Sequence, residues 1–214
     1  MSDTGDSSPA AARAIWAGLI AVMLLVGVAA FVSLRGEHAA PPVVGEVPEF
    51  SLTERSGETR TRADLDGAPW VADFIFTRCT GMCPALSTRL AEVRRRARES
   101  GITARFVSFS VDPTHDQPAV LREYARRFGA DGDDWLFLTG DRDALYTLIG
   151  SGFRLSVAER SAAAAAADGG ELIAHSDRFV LVDGRGRIRG YYHGTDPAAV
   201  DAILRDLAAV AAEG

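Results

Sequence analysis

From Val47 onward the chain alternates predominantly apolar runs with stretches in which apolar side chains recur every three or four positions. Trp70–Phe76, WVADFIF, and Ile102–Val111, ITARFVSFSV, have the length and continuity of strands buried on both faces. Between them, Pro84 to Ser100 carries Leu86, Leu90 and Val93 at helical spacing with polar residues elsewhere, which predicts a helix. Asp116-Gln117-Pro118 supplies a cap-and-proline start for a second helix running to Phe128. WLFLTG, Trp135–Gly140, reads as a third strand, and Asp141–Gly150 as a short helix. Phe50–Thr61 reads as a hairpin around Ser56-Gly57, and Phe179–Tyr192 as a hairpin turning on Asp183-Gly184. An amphipathic helix from Asp196 to Ala212 closes the chain. Strand–helix–strand–helix followed by a hairpin and a helix predicts an α/β fold of thioredoxin type, a mixed central sheet flanked by helices. Ser161–Gly170, SAAAAAADGG, interrupts the pattern as a low-complexity insertion that carries no evident chemistry.

Ahead of this domain, Ala14 to Leu34 is apolar throughout and is bounded by Arg13 and Arg35. About 20 such residues cross a bilayer, whereas the apolar part of a cleavable signal is about 7 to 15 long. The expectation is a single uncleaved transmembrane helix over 14–34, preceded by a short tail, 1–13. Cleavage near Ala39-Ala40 is the alternative. Residues 35–46, with Pro41 and Pro42, read as a tether reaching up to about 40 Å if extended, and 47–214 as the folded domain. The tail is not Arg-rich and acid-poor like a mitochondrial transit peptide. The expected location is therefore a bacterial cytoplasmic membrane, with the domain on the periplasmic or outer side.

The 214 residues carry a formal net charge of −6, with 24% charged and 47% hydrophobic residues, as in an ordinary globular domain. The acidic balance argues against nucleic acid as a partner. All basic residues are arginine.

Both cysteines of the chain fall within FTRCTGMCPAL, as Cys79 and Cys83. They follow the first buried strand, where open α/β sheets carry their sites. Pro84 suits a first helical position and sets Cys83 at or near the N-cap. The helix dipole and Arg78 are then expected to favour thiolate. Two thiolates on one side suit a soft metal or redox exchange. The plainer alternative is a structural disulfide, but closing so short a loop gains only on the order of 2 kcal/mol.

Of the histidines, His38 lies in the tether, His115 in the loop after the second strand and His193 at the end of the hairpin. His175, in LIAHSDRF, precedes the strand from Phe179. If that strand runs antiparallel to the others, His175 lies beside the cysteines. Met82 between the cysteines is a packing residue or an axial soft ligand. Arg89, Arg94, Arg95, Arg96 and Arg98 form a solvated helix face or a dock for an acidic client.

FTRCTGMCPALSTRL, VSFSVDPTHDQP and AHSDRFVLVDGRGRIRGYY together resemble the Sco/SenC family of copper chaperones, over essentially the whole soluble domain. The resemblance implies a thioredoxin fold that binds copper through Cys79, Cys83 and His175, and assembly of the binuclear copper centre of cytochrome c oxidase subunit II. It also implies an upstream copper donor or thiol reductant. Asp112 and Asp116 match the family's acidic loop and are candidates to support the ligands or touch a partner. The Thr80-Gly81-Met82 segment and the alanine-rich insertion depart from commoner family versions. Two thiolates and an imidazole suit Cu(I), while Cu(II) calls for an added water or carboxylate; closed zinc sites take four protein ligands. The rival readings are a tethered thiol–disulfide oxidoreductase, with Cys79 attacking and Cys83 resolving, a thiol peroxidase working through Cys79, and a redox or copper sensor.

Overall fold

The computed structural model describes residues 9–34, 38–159 and 173–213, in two compact units divided after His38. The first contains helix α1 (Pro9–Leu34). Its described side chains from Ile15 to Val28 are apolar and exposed all round. Among the described residues no helix is long and apolar enough to cross a membrane.

The second unit is built on a sheet of eight strands among the described residues, in the order β1-β10-β9-β4-β5-β6-β2-β3. The central strand β4 (Trp70–Ile75) is buried at every position, as its largely apolar run predicts. It pairs in parallel with β5 (Arg105–Ser110), and β5 with β6 (Trp135–Thr139), in the α/β manner. On its other side β4 pairs antiparallel with β9 (Arg178–Val182), which turns back into β10 (Arg187–His193). The hairpin of β2 (Ser51–Glu54) and β3 (Thr59–Thr61) forms one edge. It turns through Gly57, whose φ of 95° is open to glycine without strain.

Helices α2 (Met82–Glu99), α3 (Pro118–Arg127) and α5 (Ala199–Ala212) cover one face. Ser87 of α2 and Tyr124 of α3 share a buried hydrogen bond of 2.9 Å across that layer. The other face is closed by α4 (Arg142–Thr147) and a π-helical turn, Leu148–Gly152, which deliver Phe153 into the core. The Phe153 ring lies 5.0 Å from that of Phe74, 5.2 Å from Phe109 and 6.2 Å from Trp70. Such edge and tilted contacts add to the stabilisation from burial alone.

Several boundaries differ from the sequence expectation. Residues from Ala39 belong to the folded unit. Residues 45–46 form β1 (Gly45–Glu46) on the edge of β10, and Arg189 donates to the carbonyl of Pro41 at 2.7 Å. The second helix begins at Pro118 after a Gln117 cap, and the last at Ala199, each two or three residues late. The alanine-rich insertion lies outside the described residues, between β7 (Val157–Glu159) and β8 (Ile173–His175), which form a separate two-stranded sheet.

Phe153→Ala is expected to cost about 3–5 kcal/mol, the usual penalty for truncating a fully buried aromatic. Urea unfolding of the reduced protein measures it, and a loss below about 1 kcal/mol would contradict this packing.

Candidate metal centre

Strand β4 and its parallel neighbour β5 end at the same level, with Ile75 opposite Ser110. The two loops that follow are tied by Asp116, which is fully buried. Its carboxylate accepts from Thr77 Oγ1 at 2.5 Å, from the Thr77 amide at 3.2 Å and from Ser110 Oγ at 2.7 Å. Burial lifts the Asp116 pKa above the ordinary carboxylate range, and these hydrogen bonds pull against that rise. Asp116 is thus a tie between loops with no surface to offer a partner. Asp112 is also buried and pairs with Arg78 at 2.5 Å.

The loop held by Thr77 carries Cys79, whose amide donates to the Phe76 carbonyl at 3.2 Å. Helix α2 then starts at Met82 with Gly81 as cap, so Cys83 is the second helical residue, two positions beyond the N-cap. Pro84 is tolerated because the first turn has no intrahelical use for its missing N–H. One free amide of that turn is used directly: Cys83 N–H donates to Cys79 Sγ at 3.2 Å. The two thiol groups also share a hydrogen bond. Neither is joined in a disulfide, and both are buried, Cys79 5% and Cys83 0% exposed.

The expectation of two thiolates needs correction. Cys83 is pushed well above the ordinary thiol range, first by its hydrogen bond with Cys79 and then by burial. Arg78 is engaged by Asp112. The helix N-terminus is aimed at the Cys79 sulfur instead.

His175 ends β8, in register with Val157. Because β9 runs antiparallel to β4, with Ala72 opposite Val180, the chain between His175 and Arg178 meets the carboxyl end of β4. That is the end from which Cys79 follows. The His175 side chain lies outside the described residues. Among those described, no group of three His, Cys, Asp or Glu side chains is arranged to hold a metal. Met82 is partly buried against the core. His115 is exposed beside a cleft of about 390 Å³ lined also by Thr77, Arg78, Ala119, Val120 and Tyr124. His193 is exposed, with Nδ1 3.3 Å from Asp177, and His38 is exposed.

The arginines of α2 are not an open basic patch. Arg94 and Arg98 pair with Asp134, Arg95 with Glu92 and Glu99, and Arg96 with Asp201. Arg89 donates to the carbonyls of Gly194 and Asp196. Sequence reading also passed over Asp73, fully buried on β4. The signal was present, a lone acid in an otherwise apolar strand.

Comparisons with known proteins follow the same outline. The SCO1/SenC family model matches residues 40–212. A SCO1 protein homolog of Bacillus subtilis is 28% identical over 196 residues, covering 91% of this chain and 94% of its own. A SCO1/SenC family lipoprotein from Bacillus anthracis superposes with a TM-score of 0.73 at 29% identity, covering 81% of this chain and 99% of that one. BsSco, described as a member of the Sco family of cytochrome c oxidase assembly proteins with a disulfide switch, superposes with a TM-score of 0.71 at 26% identity, covering 81% and 98%.

A thiol whose pKa is raised on folding contributes stability below the unfolded thiol's pKa, about 8.5, and loses it as pH rises further. The reduced, metal-free protein is therefore expected to lose stability above that pH by up to about 1.4 kcal/mol per pH unit from Cys83. Cys83→Ala should flatten the profile by that amount. Parallel urea-unfolding profiles for the two proteins would contradict the assignment.

Proposed function

The chain belongs to the SCO1/SenC family, and from that footing we propose that it is a copper-binding metallochaperone of cytochrome c oxidase assembly, delivering copper to the binuclear site of subunit II. Sco proteins of this fold are known with copper bound, and copper is the cargo assigned here, held by Cys79, Cys83 and His175. The observation that carries this reading is the apposition of two unbridged cysteines at the N-terminus of α2, with a histidine-bearing segment arriving at the same end of β4. Two sulfurs and one imidazole form a soft, low-coordinate donor set matched to Cu(I). Metal loading displaces the thiol protons, so the high pKa of Cys83 makes capture favour higher pH and couples it to proton release. A three-ligand site leaves a position for an incoming ligand from the client, and copper passes by stepwise exchange.

The same pair supports reduction of the client before delivery. Cys79 thiolate attacks one sulfur of a client disulfide and expels the other as thiolate. Cys83 thiolate then attacks Cys79 Sγ in the mixed disulfide and releases the second client thiol. Two electrons pass to the client, and a Cys79–Cys83 disulfide remains. An external thiol reductant must regenerate the dithiol before copper can load. The exposed apolar helix ahead of the domain is assigned as a membrane anchor, with the domain on the periplasmic side.

Anaerobic Cu(I) titration of the reduced protein tests the central reading. One tight equivalent is expected, lost in Cys79→Ser and Cys83→Ser and weakened in His175→Ala with both thiols still titratable. No copper binding together with rapid turnover of model disulfides would instead make the chain a tethered oxidoreductase. For the reductive step, Cys79→Ser should abolish reduction of an oxidised client, and unchanged reduction would remove that step from the mechanism.

A further inference from the structure

His175 is joined to β9 through Ser176 and Asp177 alone, so the position of Asp177 limits where the histidine can stand. Asp177 is held from several directions. Its carbonyl accepts from the Gly194 amide at 2.8 Å. Its carboxylate accepts from Thr195 Oγ1 at 2.8 Å and faces His193 Nδ1 at 3.3 Å. Burial works against the charge, but the bonds from Thr195 and His193 outweigh it and keep the Asp177 carboxyl below the usual carboxylate range.

The turn that grips Asp177 is itself fastened to the cysteine-bearing helix. Arg89 of α2 donates to the carbonyls of Gly194 and Asp196, the second at 3.1 Å. Gly194 is buried where the three segments meet. A Cβ there would overlap Leu86 Cδ2, lie 2.7 Å from the Asp177 carbonyl oxygen and 3.1 Å from the Phe179 ring. Only glycine lets the β10–α5 turn approach α2 and the start of β9 together. Leu86 follows Cys83 by about one helical turn, so this contact is made on the same helix one turn beyond that cysteine.

We propose that Asp177 is a positioning residue for copper capture: through Thr195 and Gly194, and through Arg89 beyond them, it fixes the His175 segment to the helix that carries Cys83. This rests on the assignment of His175 as the third ligand. Without the latch the thiols remain paired as before, while the histidine arm gains freedom that copper must remove on binding. Residues that orient metal ligands without touching the metal commonly change affinity by about 10- to 100-fold.

The test is a double-mutant cycle on the full chain with Cu(I), read by competition with a chelator. Asp177→Ala is expected to weaken binding about tenfold or more, but to change it by less than about twofold when His175 is already alanine. Asp177→Asn, which keeps an acceptor for Thr195, should recover part of the loss. In the Cu(II) form, nitrogen hyperfine coupling from the imidazole should broaden or vanish in Asp177→Ala and persist in the wild type. Equal weakening in both backgrounds would mean a general loss of structure and overturn the latch, as would unchanged affinity in Asp177→Ala. Should that variant fail to fold, Thr195→Val run through the same cycle decides by the same criteria. Unchanged affinity in His175→Ala alone is a separate outcome: it removes the ligand assignment itself, and the latch with it.

Discussion

A buried carboxylate holds together the two loops from which this site is made. Parallel pairing brings β4 and β5 to a common end, but it leaves the loops beyond them free to diverge. Asp116, on the loop after β5, closes that freedom by accepting from Thr77 on the loop after β4 and from Ser110 at the end of β5. An acid without such partners would be expensive at this depth, on the order of several kcal/mol. Met by three donors, it becomes a geometric constraint on where Cys79 leaves the sheet. The start of α2 follows from that, and so does the amide that Cys83 presents to the Cys79 sulfur.

Much of this fold could be read from the order of residues. The apolar runs at Trp70 and Phe106 became central strands because only a strand covered on both faces tolerates such continuity. The turns at Gly57 and Asp183 followed from local backbone preferences. Short elements escaped: β1 has two residues and β7 and β8 three each, too few for any periodicity to register. They form because a neighbouring edge offers hydrogen bonds, which is tertiary information.

The site was legible in its reactive atoms and less so in its supports. Cys79, Cys83 and His175 stand out by type and spacing. Asp116 looked like a helix cap or a partner contact because an acid before Gln-Pro usually is one; burial gave it a different task. Asp177 and Gly194 carried no signal of their own, since their importance lies in contacts between segments 17 residues apart and a helix nearly a hundred positions upstream. The expected activation of both sulfurs failed for a related reason. A dipole and a nearby cation favour ionisation, but a full charge on Cys83 must also overcome burial and the hydrogen bond it shares with Cys79.

The pairing of the α2 arginines with acids of their own domain bears on how a partner finds this protein. Guanidinium groups already matched to carboxylates project little field beyond a Debye length of about 8 Å. Diffusional encounter on this side gains little long-range steering, and bimolecular capture should run near the unassisted rate of about 10⁵–10⁶ M⁻¹s⁻¹. Speed in such a system has to come from keeping donor and recipient close together, on one surface, so that local crowding does what attraction at a distance does elsewhere.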